Sequence, residues 1–148
     1  MLARKLEEQG KGIRICTDDW QDDLIMHHDD EEFHNILQKR LYALALELLR
    51  YNQSVILEDG LWMKSEREEK LADARKANSN VELHFFDLSF DEVWKRLQHR
   101  NQNLIHGAVP IEKEELQKLW SLFQKPTPDE LAQFDKVFIY KDTSEHPQ

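Results

Sequence analysis

Four short apolar runs, at residues 13–16, 54–57, 81–86 and 137–140, recur along the chain, and every gap between them holds at least one stretch of helical period. Strands joined by helical crossovers lie parallel, so the pattern predicts an α/β sheet with helices on its faces. Residues 2–9 read as a helix closed by Gly10 and Gly12. Acidic residues at 29–32 precede a long helix whose Phe33, Ile36, Leu37, Leu41, Leu44, Ala45, Leu48 and Leu49 fall on one face. Ser65 with Glu68, and Ser89 with Glu92, have the spacing of capping boxes opening helices to about Ala77 and Arg100. Residues 101–110 read as loop. Leu116, Leu119, Trp120 and Phe123 mark a further helix, halted by Pro126 and Pro128. Residues 1–140 are thus expected to form one α/β domain, with 141–148 a loose tail.

Composition narrows the function classes. The chain has 148 residues, of which 20 are basic and 29 acidic, for a net charge of −9. That balance disfavours general nucleic-acid binding, where Lys and Arg must neutralise phosphates. No apolar run approaches the roughly 18 residues of a membrane span. One cysteine, Cys16, cannot form an internal disulfide, and no secretory signal opens the chain, so a cytoplasmic location is expected. In an apolar strand Cys16 reads as a buried, inert thiol rather than a nucleophile.

The chemistry-bearing residues cluster where strands end. Thr17-Asp18-Asp19-Trp20 follows the first run, Glu58-Asp59-Gly60-Leu61-Trp62 the second, and Asp87 the third. In parallel sheets ligands bind at the carboxyl ends of strands. Carboxylates there, read with the arginine-rich stretch from Trp94 through Arg96 to Arg100, suit phosphoryl transfer: carboxylates hold Mg²⁺ or orient an acceptor, and guanidinium groups neutralise the transferring oxygens.

Leu2-Ala3-Arg4, Cys16 to Trp20, Val55 to Trp62, Glu66-Arg67, Trp94 to Asn101 and Pro126 to Leu131, taken together and in order, resemble the kinase-like P-loop ATP-binding proteins often labelled AAA-domain ATPases, akin to zeta toxins, gluconate kinases and chloramphenicol phosphotransferase. The resemblance runs to about Asp135. It implies ATP and Mg²⁺ as cofactors and a small hydroxyl-bearing acceptor. Asp18 matches the acidic residue that accepts or orients the acceptor's hydroxyl proton, with Asp19 its neighbour. Glu58 stands where such proteins hold Mg²⁺ through an Asp, and Asp59 is the substitute. Arg96 and Arg100 match lid arginines that touch ATP phosphates, and Arg67 matches an arginine facing acceptor or phosphate.

Each assignment has a structural rival: Asp18 as a turn or capping residue, Glu58 and Asp59 as a solvated loop pair, Arg96 and Arg100 as a solvated helix face, and Arg67 in a surface pair with Glu66, Glu68 or Glu69. Trp20 and Trp62 suit either an acceptor pocket or the core, while Trp94 and Trp120 read as core. His27, His28, Asp29 and Asp30 lack a second ligand pair at metal spacing, and His84 reads as structural.

In the family a strand and a Gly-rich loop ending Gly-Lys-Ser/Thr precede the Leu-Ala-Arg helix; here Met1 stands at about that Ser/Thr. The expectation is an upstream start or a degraded homologue. The resemblance puts the absent strand between those at 54–58 and 81–87, with weak nucleotide affinity as a result. The rival class is a non-catalytic binding or regulatory protein that has lost the nucleotide.

Overall fold

A computed structural model describes residues 2–103 and 110–142, which form two compact units, one of residues 2–61 with 72–79 and the other of residues 62–71 with 80–142. Each is built around one parallel pair of strands.

In the first unit α1 (Leu2–Glu8) stops where Gly10 takes a φ of 71°, the left-handed conformation a helix end needs. Gly12 is required for space. A Cβ on it would lie 2.9 Å from the backbone oxygen of Ser54, so its hydrogen lets β1 (Ile13–Ile15) enter beside β2 (Val55–Leu57). The two strands pair in parallel, Ile13 opposite Val55 and Ile15 opposite Leu57. Two helices, α2 (Thr17–Asp23) and α3 (Glu31–Arg50), form the crossover. Asp30 caps α3 by accepting the Phe33 N–H at 3.0 Å, and Glu31 and Glu32 complement the helix dipole. Leu41 and Ala45 of α3 bury themselves with Ile15, and Leu37, Leu44, Leu48, Val55 and Leu57 pack around them. Ile36, expected on that face, is 61% exposed. At about 100° per residue it lies some 140° round the helix from Leu41, outside the stripe that the strands cover.

The second unit takes in the first part of α4 (Lys64–Lys76). This helix opens one residue before Ser65. Glu66 accepts the Met63 N–H at 3.1 Å and Glu68 pairs with Lys64, so the expected box of Ser65 and Glu68 does not form. Next come β3 (Glu82–Asp87), α5 (Phe90–Gln102), α6 (Lys113–Leu122), the short α7 (Pro128–Leu131) and β4 (Lys136–Lys141). Ser89 caps α5 as expected, accepting the Glu92 N–H at 3.2 Å; the Glu92 carboxylate turns to Arg96 instead of completing the box. Pro126 and Pro128 follow the end of α6, and Pro128 also starts α7, where its missing N–H costs nothing. Strands β3 and β4 are parallel, His84 opposite Phe138 and Phe86 opposite Tyr140. Phe123 gathers Trp62 edge-on at 5.7 Å, Phe85 at 6.1 Å and Trp120 at 6.2 Å, and Leu116 of α6 is buried. Lys141, expected to open the tail, is the last residue of β4, opposite Asp87, and α5 runs two residues into the expected loop, to Gln102; residues 143–148 and most of 101–110 lie outside the described residues.

The parallel pairing and the alternation of strand and helix follow the sequence reading. Among the described residues no ladder joins β2 to β3, and no helix is long and apolar enough to cross a membrane.

Candidate functional site

The carboxyl end of β1 is converted directly into a helix start. Ile15 points into the core, Cys16 keeps an extended backbone with φ of −134°, and Thr17 begins α2, so Asp18 and Asp19 occupy its first turn, where a helix favours negative charge. Pairing brings the end of β2 alongside: the Glu58 N–H donates to the Ile15 carbonyl at 2.9 Å, setting Glu58 and Asp59 next to the start of α2. All four carboxylates expected from the sequence therefore belong to one unit.

They divide into two sets. Arg14, whose side chain is only 10% exposed, donates from Nε to Glu58 at 2.5 Å and from Nη1 to Asp19 at 2.6 Å; Arg4 adds a second guanidinium on Asp19 at 3.2 Å. Burial alone lowers the Arg14 pKa, but the bonds and charges of Asp19 and Glu58 outweigh it and the guanidinium is held more firmly protonated than usual. For Asp19, burial works to raise the pKa and is outweighed by Arg14 and then Arg4, leaving it below the ordinary carboxylate range.

Asp18 and Asp59 are placed differently. Burial pushes the Asp59 pKa up and the nearby Asp18 charge adds to this, while Thr17 and His34 oppose it. Asp18 has a side chain 69% exposed, with His34 Nδ1 at 3.8 Å. The Thr17 side chain is close enough to Asp59 to favour its ionised form, yet its hydroxyl, 1% exposed, makes no hydrogen bond of ordinary geometry among the described residues. The fully buried Gln21 braces this region, donating to the His27 carbonyl at 2.7 Å and meeting His34 Nδ1 at 2.9 Å. Cys16 is buried and its thiol pKa is raised by burial, which keeps it unreactive. His28 pairs with Asp22.

The remaining expected site residues belong to the second unit. Arg67 is not on the surface: its guanidinium, 3% exposed, meets Glu130 from Nε at 2.6 Å and from Nη2 at 3.1 Å, and also donates to the Gln124 carbonyl at 2.7 Å and the Trp62 carbonyl at 3.3 Å. Arg96 pairs with Glu92 one turn earlier at 2.8 Å, and Arg100 stands exposed in the last turn of α5. Asp87 pairs with Lys125 at 3.0 Å. Trp20 is 42% exposed on α2, whereas Trp62 is half-buried against Phe123. His84 stacks on Phe138 at 4.7 Å and meets the Tyr140 hydroxyl at 3.0 Å, in keeping with a structural role.

Arg14, Thr17 and Glu130 carry roles the sequence reading did not assign. The signal for Arg14 was present: a cation inside the apolar run Ile13-Arg14-Ile15, four residues before Asp18, needs a partner.

A Mg²⁺ ion held through Glu58 does not fit this arrangement, because Glu58 and Asp19 already share one guanidinium. Among the described residues no group of three or more His, Cys, Asp or Glu side chains is arranged to hold a metal ion.

A family model described as an AAA domain matches residues 1–126 of the chain. No curated protein matches it closely enough to count as a relative.

Proposed function

The chain belongs to the AAA-domain family, whose members generally bind ATP with Mg²⁺, and from that footing we propose that it carries the acceptor side of a phosphotransferase acting on a small hydroxyl compound. In this reading the acceptor oxygen attacks the γ-phosphorus of ATP, its proton passes to the Asp18 carboxylate, and the bond to the bridging oxygen breaks to leave ADP. The observation that carries the reading is the open state of Asp18. Of the two acidic residues in the first turn of α2, Asp19 is taken by Arg14 and Arg4, while Asp18 presents its carboxylate to solvent at the carboxyl end of a parallel strand. The 148 residues contain no Gly-x-x-x-x-Gly-Lys-Ser/Thr stretch, so the amide cradle for phosphates is not among them.

The test is transfer from γ-labelled ATP to a panel of small hydroxyl compounds by the native gene product. Asp18→Asn is expected to abolish transfer and to leave nucleotide affinity unchanged. Equal loss of both, or no transfer to any hydroxyl, overturns the reading. One observation favours a second reading, a binding or regulatory protein without catalysis: the Glu58 carboxylate is committed to Arg14. Titration calorimetry with Mg-ATP separates them, since only the first requires the nucleotide to bind.

A further inference from the structure

We propose that Arg14 is a resident cation: its guanidinium fills the place between Asp19 and Glu58 that a divalent ion would otherwise take, so that neither carboxylate serves as a metal donor in this protein. The inference rests on the geometry of residues 4–59 and is independent of the phosphotransferase reading.

Two carboxylates brought together by the end of β2 and the first turn of α2 repel each other unless a cation lies between them. Arg14 supplies it, with bonds of 2.5 Å to Glu58 and 2.6 Å to Asp19 from a side chain that is 10% exposed. Arg4 is the second cation, 3.2 Å from Asp19, so two positive groups face two negative ones. The chain cannot easily withdraw Arg14. Its residue is the middle one of β1, locked in register opposite Ile56, and its own N–H donates to the Glu7 carboxylate at 3.3 Å. A guanidinium is charged at every accessible pH and has no acceptor atoms, so it satisfies carboxylates and repels a metal ion. A dication entering here would have to expel a positive charge fixed by the backbone.

Binding of Mn²⁺ tests this, read by calorimetry and by paramagnetic broadening of side-chain carboxyl signals. In the unaltered protein Glu58 and Asp19 should not broaden, and Glu58→Gln should leave Mn²⁺ affinity unchanged. Arg14→Met, which keeps the stem and removes the charge, should gain about tenfold or more in Mn²⁺ affinity, with broadening at both carboxylates. Arg14→Lys, which keeps the charge, should gain nothing, and Arg14→Met with Glu58→Gln should lose the gain. A folded Arg14→Met protein with no added affinity overturns the proposal. So does a loss of Mn²⁺ affinity of about tenfold on Glu58→Gln in the unaltered chain, a measurement that stands even where Arg14→Met fails to fold. Neither outcome bears on Asp18, whose role is judged by transfer.

Discussion

Asp19 keeps its charge because two guanidinium groups flank it, whereas Asp59 gives up part of the stability of its charged form because burial and the Asp18 charge act on it together. The two therefore respond to pH with opposite sign. The lowered pKa of Asp19 contributes stability that is present above the ordinary carboxylate value of about 3.9 and is lost as pH falls through its folded value. The raised pKa of Asp59 does the reverse: stability declines as pH climbs from about 3.9 through the raised folded value, and is level above it. Asp59→Asn should consequently gain over the unaltered protein across that rise and hold a constant gain at neutral pH, measured as urea midpoints in buffers from about pH 3 to 7. A gain that does not vary with pH would mean that the carboxyl titrates normally. At this scale the clustering of Asp18, Asp19, Glu58 and Asp59 was legible, because strand ends in a parallel sheet share one edge. Which of the four stay free was not, since that depends on the reach of Arg14 across to β2.

Among the elements, α4 is strongly polar and buries one apolar side chain, Leu71, so an ion pair does much to tie it into the second unit. Arg67 and Glu130, both almost wholly buried, join α4 to α7 through two parallel bonds, and the Gln124 and Trp62 carbonyls take further donors of the same guanidinium. Removing one partner strands the other in a poorly solvated place. Glu130→Gln or Arg67→Met alone should lower stability by about 3–5 kcal/mol, whereas replacing both with apolar residues of similar volume should cost far less, as a double-mutant cycle in urea would read. The sequence reading offered Arg67 a ligand or a neighbouring glutamate on its own helix; the actual partner lies 63 residues on, beyond any local spacing rule.

For the whole molecule, the first unit rests on a small core of Ile15, Leu41 and Ala45 with its surrounding leucines and valine, and the second on an aromatic cluster around Phe123. Leu41→Ala removes the centre of the first. It should cost about 2–5 kcal/mol. Hydrogen exchange should quicken at residues 13–15 and 55–57 while amides at 82–87 keep their protection; equal quickening in both strand pairs would show a single cooperative unit instead.

The alternation of apolar runs with helical periods determined, with no structure in hand, that the strands are parallel and that acidic residues gather at their carboxyl ends, because period and crossover chirality are local properties of the chain. The tertiary structure alone decided the pairing of charges: Arg14 with Asp19 and Glu58, and Arg67 with Glu130. Arg14 and Glu58 are 44 residues apart and Arg67 and Glu130 are 63 apart, so no local spacing rule joins them; the pairing of β1 with β2 sets the first distance and the fold of the second unit sets the other.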